Sequence, residues 1–304
     1  MNLDPLDETR PHPRRQTGLE ATRPSEPAPQ PRRRGGCSSV LLPGVLLGIL
    51  LSLYLLAPLR TNILLLGIDR APAGSDAART DTMVLTTILP AKPYVGMLSI
   101  PRDLWVSIPG QGENRINAAH FFAEAEQPGS GPEAAMGVVR ANFGVDVSDY
   151  VRLRFDGLER FVDVLGGVEI DLPEAMSGYE AGSHVLDGPN ALAFVRDRAG
   201  SDDFARMRRG QLFLKAALKT MAKPQKWPRL PLAIPVLLAS IKTDVPIWLW
   251  PRLGLAVLRA GPEGIDGRVI TREMAHGFTT EGGAQVLAPD WLQINPVLLE
   301  MFGQ

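Results

Sequence analysis

Residues 62–70 read NILLLGIDR. The apolar run Asn62–Ile68 is too short for a core helix and does not alternate, so it reads as a strand buried on both faces. It stops abruptly on Asp69 and Arg70, placing charge where the strand meets a loop. The same pattern recurs downstream. Thr82–Leu89 and Tyr94–Ile100 read as two more strands, joined by a turn at Pro90–Pro93. Arg79-Thr80-Asp81 stands immediately before the first of them, and Pro101-Arg102-Asp103 immediately after the second. Tyr150–Phe155, Val168–Leu172 and a segment near Gly267–Ile270 are further strand candidates. Ala118–Ala125, Pro132–Phe143, Leu158–Leu165 (ended by Gly166-Gly167), Pro189–Val195, Ala205–Met221 and Trp248–Arg259 read as helices. Pro224–Pro235 reads as a proline-rich connection. Strands and helices interleave with no internal repeat, which predicts an α/β, mixed α+β, domain.

Upstream of this block the composition changes twice. Residues 1–39 are rich in proline, poor in apolar residues and without periodicity, the signature of a disordered tail. Residues 40–59, VLLPGVLLGILLSLYLLAPL, carry no charge and are about long enough to cross a ~30 Å hydrocarbon core as a helix. Arg32, Arg33 and Arg34 precede the run and only Arg60 follows closely. The positive-inside rule then predicts a single-pass cell-membrane protein, with the tail cytoplasmic and residues 60–304 extracytoplasmic. The long leading segment and the lack of a small-residue cleavage site favour an uncleaved anchor over a signal peptide.

The chain has 304 residues and a formal net charge of -1, which argues against a basic nucleic-acid binder. Its single cysteine, Cys37, excludes an intrachain disulfide and any multi-cysteine metal site, and the four histidines are scattered. The informative charges are the Arg–Asp clusters at element ends. To those at 69–70, 79–81 and 102–103 are added Arg115, the run Arg196-Asp197-Arg198, and Asp202-Asp203 followed by Arg206, Arg208 and Arg209. Strand ends are where α/β sheets place ligand sites. Converging arginines need an anion between them, and a diphosphate suits the guanidinium fork. The aspartates are suited to Mg²⁺, a hard ion that prefers oxygen. Each pair also has a plainer reading as a surface ion pair, and either Asp202 or Asp203 is a natural helix N-cap. Arg206 and Arg209 are expected to share a helix face. Arg154, Arg160, Arg229 and Arg252 are expected to be solvated.

The ordered set NILLLGIDR, ARTDTMVL, LSIPRDLWVSIPG, RINAAH, FDGLERFVDVLGGVEIDLPEAM and HVLDGPNALAFVRDRAGSDDFARMRRGQ resembles the LytR–CpsA–Psr family of cell-wall enzymes. The resemblance runs from about Thr61 to the end of the chain. It implies a central mixed sheet with helices on both faces and an apolar pocket for a polyprenyl chain. It also implies a phosphotransferase that moves a glycan phosphate from a polyprenyl-pyrophosphate carrier onto peptidoglycan, attaching a secondary cell-wall polymer. By motif position, Asp69 and Asp81 would ligate Mg²⁺ (or Mn²⁺). Arg79, Arg102, Asp103, Arg115, Arg196, Arg198, Arg206, Arg209 and Gln211 would surround the pyrophosphate. Arg102, Asp203 and Arg206 would be catalytic, Asp203 activating the acceptor hydroxyl. Val84, Leu85, Leu98, Phe155, Leu158, Phe161, Val162, Leu165, Leu192, Phe194, Phe213 and Leu214 are the expected pocket walls.

Two positions depart from the family pattern: Ile68 replaces a usual serine, and Gly210 replaces the first glutamine of the helix motif. The second leaves the role of Gln211 in question. Two other functions use the same residues: a membrane-bound polyprenyl-pyrophosphate hydrolase, and a non-catalytic receptor for anionic polymers or lipids that regulates wall assembly.

Overall fold

The computed structural model describes residues 38–68, 79–197, 202–261 and 263–303, with side chains from Leu42 onward and without that of Asp156. Asp69 and Arg198 lie outside the described residues. The elements, in order, are α1 (Ser38–Leu56), β1 (Thr61–Ile68), β2 (Thr82–Leu89), β3 (Tyr94–Ile100), β4 (Trp105–Ile108), β5 (Gly112–Arg115), α2 (Ala118–Glu126), α3 (Gly131–Phe143), β6 (Asp149–Arg154), α4 (Phe155–Leu165) and β7 (Val168–Leu172). There follow β8 (Gly182–Leu186), α5 (Gly188–Arg196), α6 (Asp203–Ala222), α7 (Leu230–Ala239), β9 (Ile241–Thr243), α8 (Trp250–Ala260), β10 (Ile265–Val269), β11 (Ala275–Thr279), β12 (Gln285–Pro289) and α9 (Trp291–Phe302).

The central sheet runs β10-β3-β2-β1-β6-β9. β1 pairs antiparallel with β2 and parallel with β6, and β10 is parallel to β3, so the sheet is mixed. Alternation along the strands sends side chains to two cores. Leu64, Leu66, Leu85 and Leu98 pack with α3 and α9 on one face through Met136, Val139, Leu298 and Phe302. Ile63, Val84, Val95 and Met97 pack with Leu253 and Ala256 of α8 on the other. A third core joins α4, α5, α6 and β7 around Phe161, Val162, Phe194 and Phe213. β1 is buried along nearly its whole length, as its continuous apolar run requires.

Several expectations need correction. The segment 224–235 is a 3-10 turn (Pro224–Arg229) leading into α7, not a loop. Pro231 sits in the first turn, where its missing N–H costs nothing, and burial of Ala233 with packing of Val236 and Leu237 on the α4 core carries the helix past Pro235. The hairpins β4–β5 and β11–β12 and the C-terminal α9 carry too few apolar alternations to be read in advance. Arg252 is buried rather than solvated, because its Nη2 donates to the carbonyls of Ala57 and Leu59. α1 covers most of 40–59 but ends at Leu56. Leu47, Ile49, Leu50, Leu51 and Leu53 on it are each more than half exposed. Among the described residues no helix is long and apolar enough to cross a membrane.

One buried ionic group ties β6 to α2 and α3. Arg152 Nη1 lies 3.5 Å from Glu124 Oε2 and 3.2 Å from His120 Nε2, and all three residues are buried. Glu124 also accepts from the backbone N–H of Gly129 and Gly131, both at 2.9 Å, where α3 begins. Removing one partner of such a group strands the other in a low-dielectric interior. Glu124→Ala is therefore expected to cost about 3–5 kcal/mol, read as a lowered thermal unfolding midpoint of the full chain. Glu133→Ala, which breaks only the exposed pair with Arg140, is expected to leave the midpoint almost unchanged.

Candidate functional site

The start of β2, the end of β3, the end of β5 and the first turn of α6 converge, and they bring six of the expected residues together: Asp81, Arg102, Asp103, Arg115, Asp203 and Arg206. Arg102 is at the centre. Its Nη1 donates to Asp81 Oδ1 at 2.7 Å, and its Nε lies 3.3 Å from Asp203 Oδ1 and 3.4 Å from Asp103 Oδ2. Arg206 pairs with Asp203 one turn along α6 and donates to the backbone carbonyl of Asp81 at 3.0 Å. Arg115 Nε lies 3.1 Å from Asp103 Oδ1, and its Nη2 donates to the Gln285 carbonyl at 2.9 Å. Among the described residues the group is thus a network of three guanidiniums and three carboxylates.

The two neighbouring aspartates have separate jobs. Asp202 is the N-cap of α6, accepting from the N–H of Ala205 at 3.0 Å. That leaves the carboxylate of Asp203 to face Arg102 and Arg206. Burial raises the Asp203 carboxyl above the usual Asp value; Arg206 and Arg102 oppose this, while Asp103 and Asp81 reinforce it. Its Oδ2 is buried with no hydrogen-bond partner among the described residues. For Arg102, burial alone would lower the pKa, but Asp203, Asp103 and Asp81 together raise it and keep the guanidinium charged.

Beside this network lies an apolar cavity of about 280 Å³ between the sheet and helices α4, α6 and α7. Val84, Phe155, Leu158, Phe161, Phe213 and Leu214 of the expected walls line it, joined by Leu65, Val151, Leu153, Leu218 and Leu237. Leu85, Leu98, Val162, Leu165 and Phe194 are ordinary core instead. Leu192 is partly buried against the α4–α6 core. Asp81 and Arg206 line the cavity too, so its greasy wall and the charged network share two residues.

The remaining expected residues are placed as follows. Arg209 serves a different groove from Arg206. The two stand only about 60° apart around the helix, but the Arg209 side chain donates to the Asp197 carbonyl and lines a separate groove with Arg208, Phe204 and Arg272. Gln211 is buried, and its amide donates to Ser99 Oγ at 2.8 Å and to the carbonyls of Met97 and Arg268, both at 3.2 Å, clamping β3 to β10. Gly267 makes room for it: a Cβ there would fall 2.9 Å from Gln211 Oε1. Arg196 is exposed, with its guanidinium 5.8 Å from the Phe155 ring, and Arg79 is exposed two residues before Asp81. No group of three or more His, Cys, Asp or Glu among the described residues is arranged to hold a metal. Of the expected pair, Asp81 is in view, and its oxygen-only chemistry suits a hard cation such as Mg²⁺.

An α/β domain with a charged network at the strand ends, opening onto an apolar cavity, defines a class. Residues 58–296 match the LytR_cpsA_psr family, and the chain belongs to it. Among its relatives is the polyisoprenyl-teichoic acid–peptidoglycan teichoic acid transferase TagU of Oceanobacillus iheyensis, 36% identical over 167 residues, or 53% of this chain and 51% of that protein. Another is the regulatory protein MsrR of Staphylococcus aureus, 30% identical over 180 residues, or 57% of this chain and 52% of that one. The chain spans about half the length of the curated relatives it matches. In fold it is similar to crystalline B. subtilis TagV (TM-score 0.65, 23% identity, 81% of this chain and 98% of that one). It is also similar to TagT bound to LIIa-WTA (TM-score 0.62, 22% identity, 81% and 91%).

Gly210 lines the apolar cavity, and nothing lies within 4 Å of a Cβ built there. Gly210→Ala is therefore expected to stabilise the protein by about 1 kcal/mol through helix propensity. The thermal midpoint should rise by a few degrees; a fall would mean that the helix is strained at this turn.

Proposed function

We propose that the protein is a glycopolymer phosphotransferase. It would take a glycan phosphate from a polyprenyl-pyrophosphate carrier and join it to a hydroxyl of peptidoglycan. The observation that carries this reading is the sharing of Asp81 and Arg206 between the apolar cavity and the charged network. A ligand filling both must be long and greasy at one end and multiply anionic at the next.

In this reading the polyprenyl chain occupies the cavity between α4, α6 and the sheet, and its pyrophosphate lies against Arg102, Arg115 and Arg206. Arg79, Arg196 and Arg198 come from the flanking segments. The acceptor oxygen attacks the phosphorus nearest the sugar. The bond from that phosphorus to the bridging oxygen breaks, and the electron pair leaves with polyprenyl monophosphate. Asp203 Oδ2, buried and without a partner among the described residues, takes the hydroxyl proton. Arg102 and Arg206 stabilise the charge that grows on the leaving phosphate. Among the described residues each of these three guanidiniums already faces a carboxylate. The pyrophosphate therefore needs further positive charge, and Mg²⁺ held by Asp69 and Asp81 would supply it by neutralising phosphate oxygens. The apolar α1 would anchor the domain to the membrane that holds the carrier, with the N-terminus cytoplasmic.

The test is to supply the full chain, in detergent, with a polyprenyl-pyrophosphate-linked sugar, Mg²⁺ and a peptidoglycan glycan, and to follow lipid and acceptor by mass spectrometry. A sugar-phosphate adduct on the acceptor is expected, with turnover reduced roughly 10²–10³-fold in Arg102→Ala. Polyprenyl monophosphate without adduct would replace this reading with a hydrolase, and donor binding without turnover would replace it with a receptor. Chelation of the divalent ion should abolish turnover.

The pH profile checks the base. Asp203 must be ionised to accept a proton, so the rate should rise with pH and level off above its pKa. Because burial raises that pKa, the rising limb should lie above the usual carboxylate range. Asp203→Asn should remove the limb and lower the plateau about 10²–10⁴-fold. An unchanged limb in that variant would assign the titration to another group.

A further inference from the structure

The strand register fixes what gathers at each end of the central sheet. At one end Asp81 precedes β2 and Arg102 follows β3, with Asp203 beside them. At the other end Thr61 opens β1 opposite Ile88, and β2 turns into β3 at Pro90–Pro93. β9 also runs out at this second end, beyond Thr243, because it is antiparallel to β6 and β6 is parallel to β1. α8 lies across the second end. Arg252 near its start donates to the carbonyls of Ala57 and Leu59. Arg259 near its finish donates to the Pro90 carbonyl at 3.0 Å.

The outside of this end is apolar. α8 turns Leu253, Ala256 and Ala260 into the core, yet its exposed residues are Pro251, Gly254, Leu258 and Arg259. A helix facing water carries polar residues along that side; here Arg259 is the one charge. In the 3-10 turn Ile247–Leu249 just before α8, Ile247 and Trp248 are each more than half exposed, as are Leu258 and Leu59. Tryptophan, apolar in its body and polar at its N–H, suits the boundary between lipid and water.

Two observations select a lipid surface as the occupant. Ala57–Arg60 alone separate α1 from β1. Fully extended, such a spacer reaches only roughly 14 Å, and Arg252 holds two of its carbonyls against α8. A bilayer that contains the apolar run 40–59 therefore lies against this end of the domain and away from the Arg102 network. The second observation is continuity with the apolar cavity. Leu214 and Leu218 of α6 line that cavity and pack on the same core as Leu249, Trp250 and Leu253.

We propose that the surface formed by Ile247, Trp248 and Leu258 rests in the headgroup layer of the bilayer, so that the domain lies down on the membrane with its apolar cavity beside the lipid. This rests on the anchoring role proposed above for α1 and is independent of the proposed reaction.

The test uses the full chain with Cys37→Ser, reconstituted into vesicles of phosphatidylcholine and phosphatidylglycerol that contain a nitroxide-labelled phosphatidylcholine. A fluorophore is attached through Ile247→Cys, Leu258→Cys or, as control, Glu273→Cys. Glu273 is exposed and follows β10 at the network end of the sheet. Quenching by the nitroxide lipid is expected to be at least about twofold stronger at positions 247 and 258 than at 273, as for side chains held in the headgroup region. Ile247 and Trp248 are exposed, so Ile247→Glu/Trp248→Glu should keep the thermal midpoint while quenching at 258 drops to the level at 273. Chain that floats with the vesicles but is quenched no more at 247 and 258 than at 273 overturns the proposal and leaves the anchor standing. Chain that does not float overturns both. Cross-linking between two copies through position 247 without lipid quenching overturns the proposal in favour of a dimer face. No turnover is read, so failure of the proposed reaction is seen separately.

Discussion

The contact on which the site depends is the one Arg102 makes with three carboxylates at once. Asp81 belongs to the start of β2, Asp103 follows β3, and Asp203 opens α6. These come from separate parts of the chain, and each would repel the other two without the guanidinium between them. The contact sits where half-burial strengthens it, since burial costs Arg102 solvation and the three aspartates more than restore its charge. It therefore fixes the first turn of α6 over the strand ends. That position in turn sets which side chains of α6 overhang the sheet: Arg206, Met207, Gly210, Phe213 and Leu214 all do so. The apolar cavity is a consequence of the ionic one.

An unfilled apolar volume is unusual in a close-packed interior, because its lining loses dispersion contacts. Here the side chains that could close it are held elsewhere. Gln211 is drawn away to clamp β3 to β10, and Gly210 brings no side chain at all. Arg209 turns to the Asp197 carbonyl. The helix is long enough to be anchored at both ends, by the Asp202 cap at one and by Thr220 against the β7 backbone at the other. Between these anchors it spans the cavity instead of collapsing into it.

Much of this was legible in the chain because the strongest signals are local. The continuous apolar run at 62–68, the Pro90–Pro93 turn and Gly166-Gly167 each state their structure within a few residues, and the observed elements agree closely. The clustering of Arg and Asp at strand ends was also readable, since strand ends gather at one edge of a sheet. Features that depend on a distant partner were not readable. Arg252 is indistinguishable from a surface arginine until the carbonyls of Ala57 and Leu59 reach it. The division of labour between Asp202 and Asp203 turns on one residue of helix phase, and the separation of Arg209 from Arg206 depends on the distant Asp197 carbonyl. α7 was hidden by its prolines, because its stability comes from packing on α4 rather than from propensity.

The pairing within the network bears on how it would operate. Among the described residues each of the three guanidiniums faces a carboxylate, so a pyrophosphate must compete with those carboxylates for them. Such a ligand enters only if it exchanges places with carboxylates or arrives with a counter-charge. Exchange would release Asp203 from Arg102 and Arg206. Those two contacts are what hold its pKa down against burial, so release would raise it further. A bound anion would then make Asp203 a stronger base at the moment a hydroxyl needs one. The carboxylate-paired network is in this sense a resting arrangement, and the ligand's own charge would convert it into a working one.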